Sequence, residues 1–192
     1  TLKAKGKAAH SSQPELGENA ILKLTRALDQ LDLHLGSRLA SFSHPVLGHS
    51  TMNIGTIHGG TRPNIVPNSA EAEIDIRIAP ALAAADGALK LLASVIKDFN
   101  LPIEIIEPRE NPPMETAADH PMIEKLLAND AMTGLAGAPW FSDAAHLSGH
   151  GIPSICIGPG SINQAHTADE FIEVAALEAG AQFFSKFIAQ LK

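Results

Sequence analysis

His166 follows a short apolar run, Ile152 to Ile157, and a Gly158-Pro159-Gly160 turn, and it sits in a polar loop. α/β proteins place chemistry on loops beyond the carboxyl end of a buried strand, although an ordinary loop histidine fits the same position. His10 closes an alternating segment near the start of the chain and reads, from its residues alone, as a strand-end surface histidine. Arg62 and Asn64 lie in a turn-rich stretch, Gly59-Gly60-Thr61-Arg62-Pro63-Asn64, and Arg77 ends a strongly alternating run. A guanidinium fork at Arg77 suits a carboxylate held by two hydrogen bonds. The same strand carries Glu71, Glu73 and Asp75, and an ion pair is the alternative role for this arginine. Ser142, before Asp143-Ala144-Ala145-His146, reads as a helix N-cap whose following amides would face an anion. His146 and His150 have a metal-binding spacing on a helix, but Gly149 and Gly151 argue against a regular helix through both. His34, His44, His49, His58 and His120 are scattered and read as structural or surface residues.

The elements that must carry these groups follow from periodicity. Leu2 to Ala9 alternates small or apolar residues with Lys3, Lys5 and Lys7 and predicts a strand. Gly17 to Leu33 has helical spacing of Ala20, Ile21, Leu24, Ala27, Leu28 and Leu31. Ser50 to His58 predicts a strand with Met52, Ile54, Thr56 and His58 on one face. Ser69 to Ile78 predicts another, ended by Pro80; a helix over Leu82 to Phe99 and a short strand over Leu101 to Glu107 follow. The order β-α-β-β-α-β is that of a ferredoxin-like domain over residues 1–107, an antiparallel sheet with both helices on one face. Three prolines between Pro108 and Pro113 mark a boundary. Residues 108–192 should form part of an α/β domain. It would have a helix over about His120 to Met132, a short helix after Ser142, a buried strand at Ile152 to Ile157, and a helix from about Asp169 to Leu191. That strand has no evident partner downstream of residue 108, and buried backbone groups need one. Either its partners lie in a preceding segment, or this half is built in another way.

The chain has 192 residues and a net charge of −7, which disfavours nucleic acid and anionic membranes as partners. There is no long apolar run and no signal-peptide pattern. The single cysteine, Cys156, lies in an apolar run and reads as a small buried hydrophobe. The pattern suits a reducing cytoplasm. The chain opens at Thr1-Leu2-Lys3 with no initiator Met, already in a strand, as a fragment would.

Four segments together carry a resemblance. They are Ala8 to Ala20 around His10, Thr61 to Pro67 followed by Glu73 to Arg77, Ser142-Asp143-Ala144, and Ile155 to Phe171 around His166. In order and spacing they resemble the di-zinc amidohydrolase and peptidase family of acetylornithine deacetylase, succinyl-diaminopimelate desuccinylase, aminoacylase-1 and glutamate carboxypeptidase. The resemblance implies a lid (dimerisation) domain followed by the C-terminal part of a catalytic domain, in a family whose chains are about twice as long. It implies that His166 is a metal ligand and that His10 reaches the active site of the other subunit to stabilise the oxyanion. Substrate contacts would come from Asn64, Arg77, Ser142, Asp143, Gly158 and Gly160, with a weaker match at Arg62. The cofactor implied is zinc, two ions per site, with cobalt or manganese as substitutes. The partners are a small N-acyl amino acid and a second copy bound through the lid. The family's His-x-Asp motif and adjacent Glu-Glu pair do not occur here. The chain alone is therefore expected to be inactive, and a non-catalytic dimerisation scaffold is the alternative reading.

Overall fold

The structure is a computed structural model and describes residues 1–129 and 134–190. It divides into two compact units: residues 1–113 with 137–141, and residues 114–136 with 142–192. Among the described residues no helix is long and apolar enough to cross a membrane.

The first unit is built on a four-stranded sheet. Its strands are β1 (Leu2–Lys5), β4 (Thr51–Gly59), β5 (Ser69–Arg77) and β6 (Glu104–Ile105), in the order β4-β5-β1-β6, with every neighbouring pair antiparallel. A small hairpin, β2 (Ser43–His44) with β3 (Gly48–His49), precedes β4. Helices α1 (Ala20–Leu39), α2 (Pro80–Ala84) and α3 (Gly87–Asp98) complete the unit, and α1 packs on β1, β4, β5 and α3. This is the expected sheet order for β-α-β-β-α-β.

Alternation decides the two faces. Leu2 and Ala4 of β1 and Ala70 and Ala72 of β5 are buried against Leu24, Leu28, Leu31 and Leu35 of α1. Burial of each such leucine contributes about 1.5–3 kcal/mol. The opposite face is solvated and ion-paired, with Lys3 to Glu71 at 2.6 Å and Lys5 to Glu104 at 2.7 Å. The Glu71 carboxylate, by hydrogen bond and then by charge, raises the Lys3 ammonium above its ordinary value.

Several elements depart from expectation for local reasons. β1 stops at Lys5, and the chain continues to His10 through two isolated bridges, Lys7 to Glu18 and His10 to Ile65. α1 starts at Ala20 because Asn19 caps it, its side-chain oxygen accepting from Leu22 N at 3.1 Å. It runs on past Leu33 because Leu35 and Leu39 extend its buried stripe. The face expected for β4 is split by a bulge between Ile54 and Thr56. Met52 and Ile54 pair with Ile76 and Ile74 on the helix side, whereas Thr56 and His58 pair with Glu73 and Glu71 on the solvated side. The single helix expected over residues 82–99 is two helices. Asp86 at φ 81° and Gly87 at φ 86° break it with consecutive left-handed residues. Glu110 then caps α3, accepting from Ala88 N at 3.2 Å and Leu89 N at 2.7 Å.

The second unit holds α4 (Pro121–Leu127), α5 (Ala144–Gly149) and α6 (Val174–Ala189), with a small core of Leu126, Phe183 and Phe187. Residues 130–132 of the expected fourth helix and Leu191 of the last lie outside the described residues. The strand expected over Ile152 to Ile157 is absent. No segment among the described residues offers it a ladder, and Ser154 instead bonds Thr116 through its backbone N and O. Cys156, expected buried, is exposed. α6 begins at Val174 and not near Asp169, because the residues before it close the His166 loop.

Gly6 shows how tightly β1 is seated. A Cβ there would lie 2.1 Å from Glu18 O, 2.8 Å from Pro67 O and 2.9 Å from Ala20 N, all backbone atoms. Gly6→Ala is expected to lower stability by about 1–3 kcal/mol, read as a lower urea midpoint. An unchanged midpoint would show that this approach is not a constraint.

Candidate functional site

Three groups meet at one end of the first unit. His10 bridges Ile65, Ser11 N donates to Asn64 O at 3.0 Å, and Val66 N donates to Ala9 O at 2.9 Å. The His10 segment and the turn bearing Arg62 and Asn64 are thus stitched together by backbone bonds. Ser12 N donates to His10 Nδ1 at 3.2 Å, and Ser12 Oγ lies 2.7 Å from the same nitrogen. An N–H only donates, so Nδ1 is an acceptor. The neutral ring therefore carries its proton on Nε2, the nitrogen not engaged by Ser12. Ser12 was not foreseen as part of the site. The signal was present, since a serine two residues after a histidine favours such local hydrogen bonds.

Arg77 lies elsewhere. β5 runs from Ser69, next to Lys5, to Arg77, opposite Thr51. At roughly 3.4 Å per residue, nine residues of β5 put Arg77 about 27 Å from the Ser69 end. The exposed Arg77 guanidinium binds Asp75 at 2.6 Å, one of the carboxylates its strand offers it. A single copy of the unit does not bring Arg77 to His10.

The remaining candidates lie in the second unit. His166 is left-handed, at φ 61°, and its N–H donates to Glu170 Oε2 at 2.9 Å. Such backbone conformations cost of order 1 kcal/mol for a residue with a Cβ. The loop thus fixes His166 and leaves its imbalance in the backbone, with the imidazole exposed. Gly160 is also left-handed at φ 86° and packs on Ile172; a cavity of about 450 Å³ opens beside it, lined in part by Ser161, Gln164 and Glu170. Nothing crowds Gly158. Ser142 Oγ accepts from Ala144 N at 3.2 Å and lies 3.2 Å from Cys156 Sγ. The cap position falls on Asp143, whose side chain makes no capping bond. With six residues and one leading amide already taken, α5 offers less to an anion than the N-cap reading of Ser142 implies. His150 ends α5, and its Nδ1 lies 2.8 Å from His146 O, so the two histidines do not form a paired metal site.

Among the described residues no group of three or more His, Cys, Asp or Glu side chains is arranged to hold a metal ion. A catalytic zinc needs about three protein ligands, and here only His166 is a candidate. The residues present do not fit a metal without ligands from outside this chain.

A family model described as a peptidase dimerisation domain matches residues 1–104. The chain belongs to that family. Beyond the peptidase dimerisation domain, the likeness runs through nearly the whole chain. An acetylornithine deacetylase of Proteus mirabilis (strain HI4320) is 30% identical over 197 residues, 95% of this chain and 48% of that protein. One from Vibrio atlanticus (strain LGP32) is 31% identical over 195 residues, with 95% and 50% covered. The chain therefore spans about half the length of these curated relatives. Among solved structures, aminopeptidase PepT from Bacillus cereus ATCC 10987 superimposes with a TM-score of 0.67 at 23% identity, over 97% of this chain and 49% of that one. A tripeptidase from Staphylococcus aureus subsp. aureus Mu50 gives 0.68 at 23% identity, over 97% and 49%. These two share the fold. The resemblance drawn from the four sequence segments holds.

Two measurements check the site. Long-range ¹⁵N correlation spectra of the neutral His10 ring should show its proton on Nε2; a proton on Nδ1 would refute the Ser12 arrangement. Titration calorimetry of the 192-residue chain with zinc should show no tight stoichiometric site, and one would overturn the reading of His166 as a lone ligand.

Proposed function

We propose that the chain is the lid and the C-terminal part of the catalytic domain of a zinc-dependent amidohydrolase that deacylates N-acyl amino acids. The observation that carries this is the pre-set His10, with Nε2 as donor, beside Asn64 in a peptidase dimerisation domain. His166 would give one imidazole to a metal centre completed by groups outside this chain, and a bound metal would polarise the scissile carbonyl. The chain's own residues supply the rest. His10 Nε2–H donates to the oxyanion that develops as the amide carbon turns tetrahedral, and this donor acts mainly on the transition state. Asn64 orients the substrate beside it. Arg77, released from Asp75, grips the substrate carboxylate, and Ser142, Asp143, Gly158 and Gly160 line the catalytic side.

The separation of Arg77 from His10 calls for a second copy. β4 is an edge strand of nine residues without Lys or Pro, and Ile54 and Ile57 on it are 37% and 49% exposed. Edges of this kind pair readily with another strand. A two-fold axis pairing β4 with its copy runs the strands antiparallel, so the Gly59 end of one subunit, which bears His10, meets the Thr51 end of the other, which bears Arg77. The homodimer would thus build each site from two lids.

Light scattering at tens of micromolar is expected to report a dimer, and Ile57→Lys to shift it toward monomer. A monomeric parent protein would remove the basis of the shared site. In the full-length enzyme His10→Ala should lower kcat by roughly 10²–10³, the usual effect of losing one oxyanion donor, with metal content unchanged. Mixing His10→Ala subunits with His166→Ala subunits should restore up to half the activity within mixed dimers, because one of the two sites then holds both groups. No recovery despite confirmed subunit exchange would exclude delivery between subunits.

A further inference from the structure

We infer that Arg62 is a second anion-recognition residue, which makes the site prefer N-acyl amino acids that carry a further carboxylate besides the α-carboxylate. This rests on the proposed delivery of His10 to a deacylation site. Arg62 stands in the turn between β4 and β5, at the same end of the lid as His10. In that turn Gly60 is left-handed at φ 74°, Pro63 and Pro67 restrict the backbone, and Ile65 N donates to Arg62 O at 3.1 Å. The bonds Ser11 N to Asn64 O and Val66 N to Ala9 O clamp it to the His10 segment.

The Arg62 side chain is exposed and makes no ion pair among the described residues, in a chain with 21 acidic and 14 basic side chains. Arg77, by contrast, already has Asp75, and Lys3 has Glu71. Arg62 opens onto a groove of about 540 Å³ whose lining holds the polar Ser11, Asn19 and Thr61 but no acidic residue. Apolar Ile21, Ile65 and Val66 form the rest of its wall with the prolines. A guanidinium over an apolar groove, beside an oxyanion donor, fits a short hydrocarbon arm ending in a carboxylate. That arm is either the acyl group or the amino-acid side chain. A cationic side chain in the same place is repelled.

The test is kcat/KM of the full-length enzyme and its Arg62→Gln variant on N-succinylalanine, N-acetylglutamate, N-acetylalanine and N-acetylornithine. In the parent enzyme at least one dianionic substrate should be favoured over N-acetylalanine. Arg62→Gln should lower kcat/KM for that substrate by roughly 10- to 100-fold, change N-acetylalanine by less than about threefold, and leave N-acetylornithine equal or improved. Which dianion responds tells whether the acyl arm or the side chain reaches Arg62. No dianion preference, or an equal loss on all four substrates, overturns the inference and leaves the deacylation reading standing. Turnover of none of them by the parent enzyme overturns that reading instead. The guanidinium is then tested directly by ¹⁵Nε spectra of the 192-residue chain titrated with succinate and with acetate, with Arg26 as reference. Selective response of Arg62 to succinate, lost in Arg62→Gln, supports anion recognition, and identical responses at Arg26 and Arg62 end it.

Discussion

The antiparallel pairing of β1 with β5 sets where every candidate group of the first unit comes to rest. Lys5 opposite Ser69 fixes which end of the sheet His10 leaves from, and Leu2 opposite Ala72 fixes which face looks at α1. A slip of β1 by one residue would turn Leu2 and Ala4 to solvent and bury Lys3. The core therefore holds the register, and the register holds the site. Gly6 adds a steric lock where β1, the start of α1 and Pro67 converge.

The first unit was legible in the sequence because its signals are local and repeated. Nine alternating residues in β5 and a leucine stripe in α1 leave little freedom of interpretation. What escaped notice depended on single residues acting at a distance. The β4 bulge comes from one extra residue at Gly55, which strict alternation cannot show. The break between α2 and α3 needs Glu110 to stabilise it from far along the chain. In the second unit the apolar run at 152–157 has the composition of a buried strand, but a strand exists only by pairing, and composition does not supply the partner.

The arrangement of the candidate residues was not legible in the sequence. His10, Asn64 and His166 could be named from their segments, yet no sequence pattern places Arg77 at the far end of the sheet from His10. That separation comes from topology, since β5 starts beside the His10 segment and then runs away from it. Ser12 and Glu170 act through local hydrogen bonds, on the His10 ring and the His166 backbone.

The Glu110 contact also bears on where the first unit ends. α3 has no cap of its own, since the Asp86 side chain makes no capping bond and instead pairs with Lys90. Its first amides wait for a carboxylate 21 or 22 residues downstream. The hydrogen bonding at the start of α3 is therefore complete only when the proline-rich stretch beyond β6 is in place. The stretch that leads toward the second unit is thereby part of the first unit's own structure.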